Sequence, residues 1–335
     1  MKKTALIITS IAKQNHPVLK QYALNAKKND IEFIVIGDTK SPKKFKLKSC
    51  NFYSIKSQNK LDFKLAKFIP LNHYSRKNIG YLIAIKNRAE IIIETDDDNI
   101  PMKNFWKSRK KNQSAFVPKK KGWVNVYKYF TNQHVWPRGF ALEKILSNLS
   151  NLKKIETIKC PIQQGLADED PDVDAICRLT QILPVIFRKS KNIALGKDAI
   201  CPFNSQNTTW FKESFPLLYL PSYCSFRMTD IWRSFVAQRI CWTCGWSILF
   251  HSSTVRQERN MHNLIDDFKD EIPGYLNNLA ICKSLEKLKL KKGAENIQAN
   301  MLLCYNKLIE MRCVSSEELP LLRAWLNDIK VYNFR

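Results

Sequence analysis

Apolar residues along the chain cluster in two ways that predict different elements. Ala5 to Thr9, Ile31 to Ile36 and Ile91 to Ile93 are short, mainly apolar runs of strand length, while Val18 to about Lys28 carries helical spacing. Strand, helix and strand in succession make a βαβ unit and predict a parallel sheet. Ligands collect at the carboxyl ends of strands in such sheets, where this chain places Thr9, Ser10 and, after Gly37, Asp38. Asp38 can accept from a ribose hydroxyl or a base, or simply cap its own loop, and the residues alone leave both open. No Gly-rich phosphate loop of the dinucleotide or P-loop type is present, so a bound nucleotide is held in another way.

Asn72 to Ile85 reads as a further amphipathic helix with Ser75 as its cap and Arg76, Lys77 and Asn78 in its first turn. Cations at that end of a helix are locally unfavourable. A docked anion such as a diphosphate would reconcile them, and a solvated basic turn is the plainer reading. The run Ile91 to Ile93 then ends abruptly in Glu94-Thr95-Asp96-Asp97-Asp98-Asn99. Asp96 and Asp98 alternate along an extended chain and can face one way, and hard oxygen ligands at that spacing suit Mg²⁺ or Mn²⁺. Asp97 alternates away from them and is counted with the donor-binding residues, and Glu94 reads as a polar strand end. A solvated acidic turn is the rival.

Farther on, Trp136-Pro137-Arg138-Gly139 holds an aromatic plane and a guanidinium on one tight turn, which suits sugar or phosphate recognition and equally a packed Trp beside a structural Arg. Asp170 and Asp172 belong to an acidic block that either serves a site or caps the helix after it. Asp230 opens a strongly patterned helix. Cys241 and Cys244 within that helix have zinc-like spacing but no matching second pair. His251 and His262 follow a last strand, Ile248 to Phe250, as candidate metal ligands or plain hydrogen-bonding residues. From Ile272 the pattern is helical, with a capping signal at Ser315 to Glu318, which predicts a helical appendage over 276–335 behind a larger domain over 1–275.

Composition narrows the class. A hydrophobic content of 44% with 11% aromatic residues excludes disorder, and 55 Lys and Arg against 30 Asp and Glu leave a formal charge of +25. That charge points to polyanionic partners or phosphorylated substrates, and it motivates a rival of another class, a basic nucleic-acid-binding protein without catalysis. The ten cysteines are scattered and read as reduced core residues. No window approaches the roughly 18 to 20 apolar residues that span a bilayer, so the sequence-based expectation is a cytoplasmic protein whose basic surface allows at most peripheral membrane contact.

ETDDDN after an apolar strand, WPRG, QGLADEDPDVDAICRLT, FRMTDIWRSFVAQRICW and RQERNMHNLIDDFKDEIPGYL follow one another between about Ser75 and Leu276. In that order they resemble the STELLO family of glycosyltransferases and, more distantly, the reversibly glycosylated polypeptides or UDP-arabinopyranose mutases. The resemblance implies a GT-A-like (nucleotide-diphospho-sugar transferase) α/β fold, a single mostly parallel twisted sheet flanked by helices. It implies that Asp96 and Asp98 bind a divalent cation bridging the diphosphate of a nucleoside diphosphate sugar, most readily a UDP-sugar. It further implies that Asp230 occupies the place of the acceptor-activating carboxylate, and that His251 or His262 adds a metal ligand. Joined to the residue-level reading, Thr9, Ser10, Asp38, Arg76, Lys77 and Asp97 fall on the donor side, and Trp136, Arg138, Asp170 and Asp172 on the sugar or acceptor side. The expected reaction is metal-dependent transfer to a hydroxyl of a glycan, lipid or protein acceptor. A nucleotide-sugar mutase, needing the same donor site and no acceptor, is the nearer alternative.

Overall fold

The computed structural model describes residues 3–258 and 263–333. The apolar runs become strands as expected. β1 (Thr4–Thr9), α1 (Pro17–Lys28) and β2 (Ile31–Ile36) form the βαβ unit, with Pro17 in the first turn of α1 and β2 parallel to β1. β3 (Asn51–Tyr53) and the single turn α2 (Ile55–Gln58) precede α3 (Lys77–Lys86). The chain then enters β4 (Ile91–Thr95), parallel to β1 on its other side. The elements that follow are β5 (Asn99–Pro101), β6 (Asn112–Pro118), β7 (Gly122–Trp123), β8 (Leu152–Lys159), β9 (Ile162–Glu169), α4 (Ala175–Thr180), β10 (Ile193–Leu195), β11 (Ala199–Ile200) and β12 (Asn207–Phe211). Last come α5 (Thr229–Thr243), β13 (Ile248–Gln257), α6 (Leu264–Lys287), α7 (Ile297–Glu310) and α8 (Glu318–Asn333).

The large sheet runs β3-β2-β1-β4-β12-β9-β13-β10-β6-β8, with β5 on the end of β13 and a separate β7-β11 pair. The α/β class with a large sheet flanked by helices is borne out. Its expected mostly parallel character holds without interruption from β3 to β4 and returns in the β9–β13 and β10–β6 pairs. β12 is antiparallel to both of its neighbours, β10 to β13 and β6 to β8, whereas β9 and β13 are parallel. β12 follows β4 only after β5 to β11; it starts beside the end of β4, with Asn207 opposite Thr95, and so runs back down the sheet.

Both faces of β4 are covered. Ile91 and Ile93 join the core under α1, and Ile92 joins the core that packs α3 and α5 on the other face. Glu94 alternates onto that second face and is fully buried. Arg233 of α5 meets it in a forked ion pair at 2.8 and 3.0 Å, Trp210 Nε1 donates at 2.8 Å, and Tyr81 also donates to it. Glu94 is therefore a buried tie between sheet and helix rather than a polar strand end. Residue 276 falls inside α6, and α6 to α8 contribute to the same core as α3 and α5.

Candidate active site

The carboxyl ends of β1, β2 and β4 open into a cleft of two cavities, about 300 and about 490 Å³, that share Thr9, Ile11, Tyr74, Asp97 and Phe226. Asp38, Asn72 and His73 line the smaller one. Asp96, Asp98, Arg138, Asp172, Asp230 and Gln257 line the larger. Two loops converge here because small polar residues fasten them. Ser10 Oγ donates to Asp97 at 2.5 Å, and Ser41 Oγ donates to the Ser10 carbonyl at 3.0 Å. Asp38 accepts the amides of Thr39, Asn72 and His73 at 2.7, 3.0 and 3.2 Å, so it caps the neighbouring loop while still facing the cavity. Phe226 packs edge-on against His73 and Tyr74, with centroids 5.2 and 5.1 Å away, to form an aromatic wall.

All three aspartates of the triplet reach the cleft. Lys77, completely buried behind Asp96, donates to its carboxylate at 2.6 Å and to the Thr95 carbonyl at 3.1 Å. Loss of bulk water pushes the Asp96 carboxyl up, Lys77 pulls it down and Asp98 pushes it back up. The 39% of its side chain that stays open lets water moderate that rise. Gln257 Nε2 donates to Asp98 at 2.8 Å, and Gln206 Nε2 donates to Gln257 at 2.5 Å, so Asp98 is oriented by a two-amide relay.

Arg138 sits between two carboxylates. It is bidentate to Asp172 at 2.8 Å on both arms, reaches Asp230 at 3.1 and 3.2 Å, and donates to the Arg227 carbonyl. Asp230 Oδ2 also accepts the Ser205 amide at 3.0 Å, and Asp172 accepts Asn204 Nδ2 at 2.8 Å. Burial alone would raise both acids. The guanidinium outweighs it, lowering Asp172 and holding Asp230 at about 2. Asp230 thus stays ionised and is a weak proton acceptor.

The larger cavity carries five carboxylates against Arg138 and Arg227, and Arg227 is already paired with Glu271 at 2.6 Å. Such a wall would repel a diphosphate. Among the described residues no three His, Cys, Asp or Glu side chains form a ready-made metal cluster. Mg²⁺ or Mn²⁺ take one or two protein carboxylates and complete their shell with water and substrate phosphate. The hard oxygens of Asp96 and Asp98 in a cleft short of positive charge fit such a cation.

Several expected residues are placed otherwise. Arg76 touches the smaller cavity but is buried, and its guanidinium is occupied by Gln58 at 2.5 and 3.0 Å and by the Ile69 and Pro70 carbonyls. It braces a loop and leaves little for a diphosphate. Lys77 points inward to Asp96, not outward to a ligand. Ser75 is not the cap, because His73 Nδ1 accepts the Ser75 amide at 3.1 Å. Trp136 is packed in the core with its Nε1 on Asp174 at 2.6 Å, so it offers no open face to a sugar. Asp170 pairs with Arg178 at 2.9 Å and lies outside the cleft lining. His251 stands six residues upstream of Gln257 on β13 and lines a different cavity, so it is not beside the triplet. His262 lies outside the described residues. Ser205, Gln206, Arg227, Phe226, Tyr74 and Gln257 join the cleft without having been assigned to it from sequence. The only advance signal for Ser205 and Gln206 was a polar run between two apolar stretches.

A large sheet with a carboxylate-rich cleft at its strand ends is consistent with the GT-A-like class. The model of the STELLO glycosyltransferases matches residues 227–335. Two Arabidopsis thaliana proteins are similar over longer spans: "Probable glycosyltransferase STELLO2", 26% identical over 98% of this chain and 45% of its own length, and "Probable glycosyltransferase STELLO1", 28% identical over 68% and 32%. The chain is similar to the STELLO glycosyltransferases over these spans, in line with its motifs, and spans less than half the length of the two Arabidopsis proteins. A solved mycobacterial protein overlaps 83% of this chain and 75% of its own at a TM-score of 0.43 and 10% identity, too loose a likeness to carry an argument.

Proposed function

We propose that the protein is a metal-dependent glycosyltransferase acting from a nucleoside diphosphate sugar, most readily a UDP-sugar, on an acceptor hydroxyl. The observation that carries this is the aspartate triplet at the junction of the two cavities, where a diphosphate would join a nucleoside in the smaller half to a sugar in the larger. Asp96 and Asp98 would hold Mn²⁺ or Mg²⁺, which when bound supplies Lewis-acid neutralisation of the departing diphosphate. Lys77 and Gln257 keep those two carboxylates aimed. The bond from the anomeric carbon to the diphosphate breaks, the bond to the acceptor oxygen forms, and the acceptor proton leaves. Asp230 is the carboxylate for that proton, and its low basicity makes the transfer late, once bonding to carbon has acidified the hydroxyl. Arg138 and Asp172 fix its position.

The test is thermal shift with UDP-, GDP- and CDP-sugars, with and without Mn²⁺, followed by product analysis. One donor is expected to raise the melting temperature only with Mn²⁺, and Asp96→Asn or Asp98→Asn to abolish the rise. No shift with any donor overturns the reading. A ring-isomerised nucleotide sugar with no transfer would assign a mutase instead.

A further inference from the structure

A polar cavity of about 410 Å³ lies on the sheet face away from α3 and α5 and shares no lining residue with the cleft. Alternation along β9, β12 and β13 delivers Gln163, Thr209 and His251 to this face, while Ile162, Trp210 and Phe250 go to the other. Several of its side chains have one end tied down and one left over. Gln163 Nε2 donates to the carbonyls of Lys110 and Cys160 at 2.8 and 3.0 Å. Both partners only accept, so the nitrogen is fixed there and Oε1 is left for the cavity. The same logic holds for Gln113, whose Nε2 donates to the Lys110 carbonyl at 2.7 Å, and Asn104, whose Nδ2 donates to the Ser253 carbonyl at 2.9 Å.

His251 Nδ1 faces the Ser252 carbonyl at 2.9 Å and must carry the proton, which leaves Nε2 as an acceptor. Burial holds this ring neutral, at about 4. Thr209 Oγ1 already accepts from Arg109 Nε at 2.9 Å, so its own hydroxyl is left to donate. The floor depends on Gly165: a Cβ there would stand 2.4 Å from Asn207 Nδ2 and 2.7 Å from His251 Cε1.

No carboxylate lines this cavity, and its charges are Lys107 and Arg109. Three of the five N–H donors of Arg109 go to Thr209 and to the carbonyls of Lys107 and Phe105. A cation is therefore repelled, and an anion would meet the acceptor ends of Gln163, Gln113, Asn104 and His251 beside the donors of Lys107 and Arg109. A neutral molecule that brings many hydroxyl donors satisfies the array. We infer that this cavity is a second binding site, for a neutral saccharide, on the opposite face of the sheet from the helices that wall the cleft. The inference stands apart from the transfer reading, since saccharide binding here needs neither donor nor metal.

The experiment uses the full chain carrying Asp98→Asn, so that the cleft is disabled, and titrates neutral hexasaccharides of β-1,4-glucan, α-1,4-glucan, β-1,4-xylan and β-1,4-mannan by calorimetry and saturation-transfer NMR. At least one is expected to bind, and His251→Phe or Gln113→Ala to weaken it about tenfold or more without lowering the melting temperature. Gln113 is only partly buried, so its variant reports even if His251→Phe folds poorly. No binding on the order of 10 mM saccharide overturns the site. So does binding that neither substitution weakens, or stronger binding of inorganic phosphate that these substitutions abolish. The donor shift of the wild-type chain with Mn²⁺ is read separately, so either idea can fail alone.

Discussion

At the scale of single residues, the cleft is built on paired charges more than on open ones. Arg138 is the clearest case, because its side chain and those of Asp172 and Asp230 are all nearly inaccessible. Removing one partner from a buried ion network strands the others, at about 3 to 5 kcal/mol. Arg138→Leu should lose that much in urea unfolding at pH 7. The sign with pH follows from the lowered acids. Asp230 falls from 3.8 to about 2 on folding, so its contribution of about 2 kcal/mol is present above pH 4 and lost as the pH drops through about 2. In Arg138→Leu the acids lose their strongest lowering partner while burial still raises them, and acid then relieves the variant. The gap between the two proteins should shrink from pH 7 to pH 4, and a constant or growing gap would refute the clamp.

Elements decide which of these charges can meet. α3 must lie close to the sheet for Lys77 to reach Asp96, and Gly80, one turn further on, allows it. A Cβ at Gly80 would stand 2.6 Å from Ile7 Cγ2 and 3.0 Å from Ile36 Cγ1. Gly80→Ala gains about 1 kcal/mol of helix propensity but forces overpacking that costs about 1 to 3 kcal/mol. The expected result is a melting temperature lower by a few degrees, together with a weaker Mn²⁺-dependent donor shift as Lys77 is drawn away from Asp96. An unchanged donor shift would show that Lys77 does not position Asp96. The same element shows where sequence reading stops. The acidic end of β4 was legible because a β-branched run and the aspartates after it are adjacent in the chain. The partners of Arg76, Lys77 and Glu94 were not, since Gln58, Asp96 and Arg233 are selected by packing across 18, 19 and 139 positions. A basic first turn that reads as a ligand cradle is instead satisfied internally.

For the whole molecule the issue is whether the C-terminal helices are an appendage or part of the body that shapes the cleft. Helical periodicity after Ile272 signals helices but says nothing of what their apolar faces cover. In the structure Trp325 is fully buried and its Nε1 donates to the Pro216 carbonyl at 2.9 Å. Glu318 accepts the amides of Ser222 and Tyr223 at 2.9 and 2.7 Å, and Asp328 accepts those of Lys64 and Leu65 at 3.0 and 2.9 Å. These contacts fasten the two segments that lead into Phe226 and into Asn72 and His73 on the cleft wall. A chain ending at residue 275 would expose that core face and leave four backbone amides without their carboxylates, each worth about 1 to 3 kcal/mol when buried. It should give no cooperative thermal transition and no donor shift. The point substitution Glu318→Gln should keep the fold, lower the melting temperature and weaken donor binding without touching the aspartates. If residues 1–275 alone melted cooperatively and bound donor as the full chain does, the helices would be a separable domain, and the cleft would owe nothing to them.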